Sequence, residues 1–186
     1  MDLVDRLLPS VAPRPDEVAV RRAGDDLVPN ADVVMDRAFS VAAPPQAVWP
    51  WLEQLGKRRA GWYLPLQVER FVPRGRRAIR HVNTAYGGLR VGDVIPDYGG
   101  RRATFEVAIV EPPRHLVYTS RRGRTYVSWA IVLTPEDAGA RVHLRLRLAP
   151  VKHVRLAGVG GGLVDALTIA GMAAGLSERV AGHRKN

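Results

Sequence analysis

Four runs of alternating residues between Ala103 and Leu148 are joined by turns of only a few residues. That spacing leaves the chain little choice of topology. Parallel neighbours need a crossover of about a dozen residues or more, so strands joined this tightly form an antiparallel meander. The runs are Ala103–Val110, with Phe105, Val107 and Ile109 on one side; His115–Ser120; Thr125–Thr134, with Val127, Trp129, Ile131 and Leu133 sharing a face; and Arg141–Leu148. In the last run Val142, Leu144, Leu146 and Leu148 face one way, and Arg141, His143, Arg145 and Arg147 face the other. A period of two with this contrast predicts one buried face and one wet face, with His143 in water.

The apolar face needs a cover, and Gly160–Gly182 is the long helical stretch able to supply it. At about 100° per residue, Ile169, Ala173, Leu176 and Val180 share a face, flanked by Ala166, Ala170, Ala174 and Ser177, with Thr168, Glu178 and Arg179 opposite. Helices that fill a core present bulkier side chains. A face this small is expected to leave room between helix and sheet. Ahead of the meander, Asp32–Val41 reads as a strand whose apolar series Arg37 interrupts. Pro44 and Pro45 stop it and open a helix over Gln46–Leu55, with Val48, Trp51, Leu52 and Leu55 buried and Pro50 expected to distort it. Gly61 to about Val72 reads as a second short helical or turn segment. Pro73–Leu89 is a long polar connection of the kind often used as a lid. Val91–Ile95 is a short strand bounded by Pro96.

Residues 1–31, with Pro9, Pro13, Pro15 and Pro29, read as an irregular arm laid on the domain; Leu3, Val4, Leu7 and Leu8 could form an amphipathic turn within it. The expected division is an arm (1–31), one domain (32–182) and a tail (183–186). Helices segregated from a continuous antiparallel run define an α+β class.

Composition excludes several functions. Without cysteine there are no disulfides and no thiolate metal sites, which fits a cytoplasmic protein. Histidines at metal-ligand spacing are also lacking, so no metal is expected. Met1–Leu8 carries Asp2 and Asp5 and does not read as a signal peptide. The apolar stretch Ala166–Leu176 is far shorter than the roughly 20 residues of a membrane span. The net charge of +10 comes mostly from arginines scattered in pairs such as Arg58-Arg59 and Arg76-Arg77. Scattered charge gives affinity without a site, so nucleic acid is not the expected partner. Gly158–Leu163 imitates a dinucleotide loop, but Leu163 stands where the third glycine belongs, and no cofactor is expected.

The strand ending Phe39-Ser40-Val41-Ala42-Ala43-Pro44-Pro45 is followed by Val48-Trp49-Pro50-Trp51-Leu52, Gln54-Leu55-Gly56 and Gly61-Trp62-Tyr63. Val91-Gly92-Asp93, Val110–Val117 with its Glu-Pro-Pro-Arg turn, and Ser128-Trp129 come later. In this order and wording, residues 25–182 resemble the helix-grip superfamily of START-related lipid-transfer domains, polyketide cyclases and pollen-allergen-like carriers (SRPBCC proteins). The resemblance implies a curved antiparallel sheet wrapped around the long C-terminal helix, two short helices at one end, and a cavity between. Relatives tend to place polar residues after Gly-Trp-Tyr; Leu64-Pro65-Leu66 stands there here.

Strand parity and helix phase nominate Phe105, Val107, Tyr118, Trp129, Ile131, Leu144, Leu146, Ile169, Ala173 and Leu176 as pocket-lining, with Trp62 and Tyr63 near an entrance. An apolar pocket with few polar groups is the usual form of a small-molecule site. No catalytic residue is assigned: the histidines have no diagnostic spacing with serine or acid, and His81, in the long loop, is the one histidine worth testing. Asp165 fits the first turn of the terminal helix, where the dipole favours an acid. The expected function is binding, transport or sensing of a small hydrophobic molecule. A cyclase- or dehydrase-like enzyme on an aromatic or polyketide-type substrate, using Tyr63, Tyr118 or His81, is the alternative. An electrostatic binder of anionic lipid or nucleic acid is a third. Monomer and homodimer both stay open.

Overall fold

The structure, a computed structural model, describes residues 9–152, 154 and 160–183. The expected turn at Leu3–Leu8, His153, and Gly158 and Val159 of the glycine-rich stretch lie outside the described residues. Among the described residues there are six strands: β1 (Val33–Val41), β2 (Val94–Pro96), β3 (Thr104–Glu111), β4 (His115–Arg122), β5 (Thr125–Glu136) and β6 (Gly139–Ala149). They form one antiparallel sheet in the order β1-β6-β5-β4-β3-β2. The helices are α1 (Pro15–Ala19), α2 (Pro45–Gln54), α3 (Leu66–Glu69) and the 22-residue α4 (Gly162–His183). This is the α+β helix-grip arrangement, a curved sheet closed by a long C-terminal helix.

One core lies between sheet and helix. Phe39, Val107, Leu116, Tyr118, Ile131, Leu133, Val142 and Leu144 of the sheet meet Ile169, Met172, Leu176 and Val180 of α4 and Val48, Trp51 and Leu52 of α2. Fully burying one such side chain contributes about 2 kcal/mol. Pro45 opens α2 at its first turn, and the helix runs through Pro50 without interruption. Gly61–Pro65 contributes no helix. It runs as an extended segment across α4, and only the four residues of α3 are helical.

On the side of α4 opposite the face of Ile169, Ala173, Leu176 and Val180, two glycines admit the backbone of the 61–64 segment. A Cβ on Gly175 would lie 2.5 Å from the Leu64 backbone nitrogen, and one on Gly171 would lie 3.0 Å from the Leu64 side chain. Arg179, which the helical phase placed opposite the apolar face, is buried there. Its guanidinium pairs with Glu69 and donates to the carbonyls of Leu64, Gly175 and Ile79. Arg80 bridges Glu69 and Glu178 in turn. These bonds hold the 64–80 connection on the C-terminal half of α4.

The convex face of the sheet is not wet along β6. His143 and Arg145 are only 3% and 5% exposed, because residues 11–29 cross over them. Arg141 grips Glu17 through two bonds of 2.7 and 2.9 Å. Arg145 donates to Asp36 at 2.7 Å, to Asp25 at 2.9 Å and to the carbonyls of Val18 and Val20. Arg147 donates to the carbonyls of Val28 and Pro29. Further along, Gly24 adopts a left-handed φ of +87° and sits so close to Val117 that a Cβ would meet it at 2.5 Å. Parity also slips once: a bulge between Val107 and Ile109 pairs Ile109 with Val117 on the convex side and brings Val110 to the inner face, opposite Leu116.

Candidate functional site

Strands β3, β4 and β5 each contribute an aromatic residue to one patch of the concave face. Adjacent registers bring them together: Val107 lies opposite Tyr118, and Tyr118 opposite Trp129. Ring centroids of Phe105, Tyr118 and Trp129 are mutually 5.8 Å apart, with Tyr118 and Trp129 stacked at 23°. Trp62, from the extended segment after α2, lies near-parallel to Trp129 at 6.3 Å. Its indole Nε1 donates to the carbonyl of Thr168 on α4 at 3.3 Å. Tyr98, on the β2–β3 turn, meets Trp62 edge-on at 6.3 Å. Five aromatic rings therefore line a seam where the sheet, the 61–64 segment and α4 converge. Tyr118 is buried, Trp62, Phe105 and Trp129 are half-buried, and Tyr98 is exposed. Arg122 lies over Phe105, 5.2 Å from the ring centroid. Its Nη2 pairs with Asp97, while Nη1 has no hydrogen-bond partner among the described residues.

Trp62, Phe105, Tyr118 and Trp129 are thus gathered, and Tyr98 joins them. Tyr98 escaped notice because a turn residue has no strand parity; its place between Asp97 and two glycines offered no other signal. Val107, Ile131, Leu144, Ile169, Ala173 and Leu176 lie in the main core. Leu146 is half-buried, opposite Met35 and Trp129.

Tyr63 does not sit at an entrance. It is fully buried and faces α2 and Arg179, whose guanidinium lies 4.6 Å from the ring centroid. Its hydroxyl donates to the carbonyl of Trp51 at 2.8 Å and accepts from Gln54 at 2.9 Å. Burial pushes this phenol up, against the opposing hydrogen bond from Gln54 and the charge of Arg179. Gln54 also receives Asn83, and Glu53 receives Leu89, so the long 73–89 connection is fastened to α2. His81 is exposed, and its carbonyl accepts from Gln54.

One charged pair does face inward. Arg37 shares the concave side with Met35 and Phe39, because residues of one strand parity share a face. It contacts Asp165 at 3.0 Å in the first turn of α4 and donates to the carbonyls of Asp36 and Gly162. Burial pushes the Asp165 carboxyl up to about 6, with the Arg37 charge pulling against it. The break in apolar alternation at Arg37 was the signal, since a charge on an inward strand position calls for a partner.

The family profile described as "Polyketide cyclase / dehydrase and lipid transport" matches residues 32–184. No curated protein sequence matches the chain. Similar solved structures include a protein from Rhodobacter sphaeroides, 16% identical, covering 83% of this chain and 96% of that one, with a TM-score of 0.51. The solution structure of a protein from Arthrobacter aurescens is 16% identical, covers 87% and 92%, and gives 0.50. A protein from Chromobacterium violaceum is 18% identical, covers 77% and 96%, and gives 0.49. At such identities the first two likenesses speak for the fold. Among the described residues no helix is long and apolar enough to cross a membrane.

Proposed function

The chain belongs to the polyketide cyclase/dehydrase and lipid-transport family, and from that premise we propose that it binds a small, largely apolar molecule, as a carrier or sensor. The observation that carries this is the half-buried seam of Trp62, Phe105, Tyr118, Trp129 and Tyr98. Aromatic faces left partly open offer stacking area to a flat or ring-bearing guest, and rings add about 1 kcal/mol per pair beyond burial. Small-molecule sites are mostly apolar with a few placed polar groups. Here Arg122 places a charged group over the Phe105 ring. The remaining nominated positions, Val107, Ile131, Leu144, Leu146, Ile169, Ala173 and Leu176, form the apolar wall behind the seam in this reading. The Tyr63 hydroxyl serves the structure instead, since both of its hydrogen bonds lie within the core.

The test is a tryptophan-quenching titration with the neutral fluorophore N-phenyl-1-naphthylamine, paired with native mass spectrometry of the purified protein. Saturable quenching is expected, with affinity at least tenfold weaker in Trp62→Ala and the unfolding midpoint recorded alongside. No saturable binding, together with no co-purified apolar molecule, would sink the proposal.

A further inference from the structure

We propose that a basic groove beside the aromatic seam is a binding subsite for an anionic group, a phosphomonoester above all, so that the guest of this protein has an apolar body and an anionic head. The groove encloses about 520 Å³ and is lined by Lys57, Arg58, Arg59, Arg76, Arg77 and Tyr98, together with two glycines. Tyr98 belongs to both sites: it walls the groove and meets Trp62 edge-on. Among the described residues no carboxylate lines the groove.

The cations here are poised differently from those on the convex face and along α4. There, arginines meet carboxylates: Arg141 with Glu17, Arg145 with Asp36, Arg179 with Glu69. In the groove, Lys57 donates to the carbonyls of Asp97 and Gly100, Arg59 to those of Glu53 and Tyr86, and Arg77 to those of Arg70 and Val72. Such bonds position a cation and leave its charge uncompensated. Arg58 and Arg76 have no side-chain hydrogen bond or ion pair among the described residues, and both are exposed. Arg58 also stands at a φ of +61° in a tight loop closed by reciprocal hydrogen bonds between Gly56 and Gly61. Left-handed backbone at a residue other than glycine costs about 1 kcal/mol or more and gathers at functional sites. The chain holds an arginine there, at the rim of a cationic hollow. Guanidinium forks match the paired oxygens of phosphate, and a phosphomonoester carries nearly two charges at neutral pH.

The inference draws on the ligand-binding reading for the apolar body; the anion groove stands by itself. The experiment compares 1-naphthyl phosphate with 1-naphthol by calorimetry, on the wild type, on Arg58→Gln/Arg76→Gln, and on Arg114→Gln/Arg124→Gln as a control of equal charge change. A flotation arm uses phosphatidylcholine vesicles with and without phosphatidic acid. In the wild type the phosphate is expected to bind at least tenfold tighter than the alcohol. That preference should fall to within twofold in Arg58→Gln/Arg76→Gln and persist in the control, which identifies a soluble phosphorylated guest. Flotation that requires phosphatidic acid and is lost in the same variant also supports the subsite and identifies a lipid headgroup as its source. A preference near one without such flotation overturns the inference, and 1-naphthol binding then leaves the apolar-ligand reading intact. A preference or flotation that Arg58→Gln/Arg76→Gln does not diminish, or that the control loses equally, overturns it as well.

Discussion

Asp36 and Arg37 are neighbours on β1, yet they enter two ion pairs on opposite faces of the sheet. Asp36 points to the convex side and accepts from Arg145 at 2.7 Å and from His143 Nε2 at 2.8 Å. Arg37 points to the concave side and meets Asp165 at 3.0 Å. Both carboxylates lie in low-dielectric surroundings, which push a carboxyl up. For Asp36 that burial is outweighed by hydrogen bonds from His143 and Arg145, and the net shift is downward. For Asp165 burial prevails over the single arginine, and the carboxyl rises to about 6. The number of donors around the acid separates the two cases, since each bond to the charged form favours it. The convex pair binds the arm to the sheet; the concave pair fixes the start of α4 at a high desolvation cost.

The largest expected effect lies on the convex side. Asp36→Ala leaves Arg145 and His143 buried beside a missing acceptor, and breaking a buried pair from one side costs about 4 kcal/mol. Guanidinium denaturation measures it. A loss below about 1 kcal/mol would mean that water reaches Arg145 and that the two faces differ less than their burial implies.

The concave pair should behave otherwise when both partners are removed together. Arg37→Met combined with Asp165→Leu is expected to be neutral or to stabilise by about 1–2 kcal/mol, because apolar replacement of a poorly solvated pair removes its desolvation penalty. A clear loss of stability would show that the bonds from Arg37 to the carbonyls of Asp36 and Gly162 dominate over the charge pair.

The smallest effect is the most diagnostic, because its sign differs between faces. Asp165 is raised from 3.8 to about 6, so its protonated form favours folding; the contribution is full below pH 3.8 and is lost as pH rises through 6. Glu17 on the convex side also meets burial, but hydrogen bonds from Arg141 and the Arg14 backbone outweigh it and lower the acid from 4.5 to about 2. Its contribution is present above pH 4.5 and is lost as pH falls toward 2. Urea unfolding across pH 3–8 should show the wild type gaining stability relative to Asp165→Asn as pH falls from 7 to 4. Against Glu17→Gln the wild-type advantage should shrink on the acid side. Parallel pH profiles for both variants would abolish the distinction.

The strand alternation in residues 103–148 and the apolar phase of residues 160–182 were enough to order the sheet and assign its cover. Main-chain hydrogen bonding forces tightly turned strands to pair with their neighbours, and a period of 3.6 or 2 sorts side chains onto faces whatever lies beyond. The aromatic seam was partly legible for the same reason: Phe105, Tyr118 and Trp129 follow from parity. Three things were decided only by the folded chain. Arg141, His143, Arg145 and Arg147 alternate just as a wet face would, and their burial depends on Glu17, Asp25 and the carbonyls of an arm more than a hundred residues away in sequence. Gly171 and Gly175 lie off the apolar face that the helical phase picks out, and only the path of Leu64 gave them a backbone to admit. Tyr98 entered the seam, and the basic groove formed, through turns that carry no periodicity. Periodicity records which way a side chain points; only the tertiary structure supplies what it meets there.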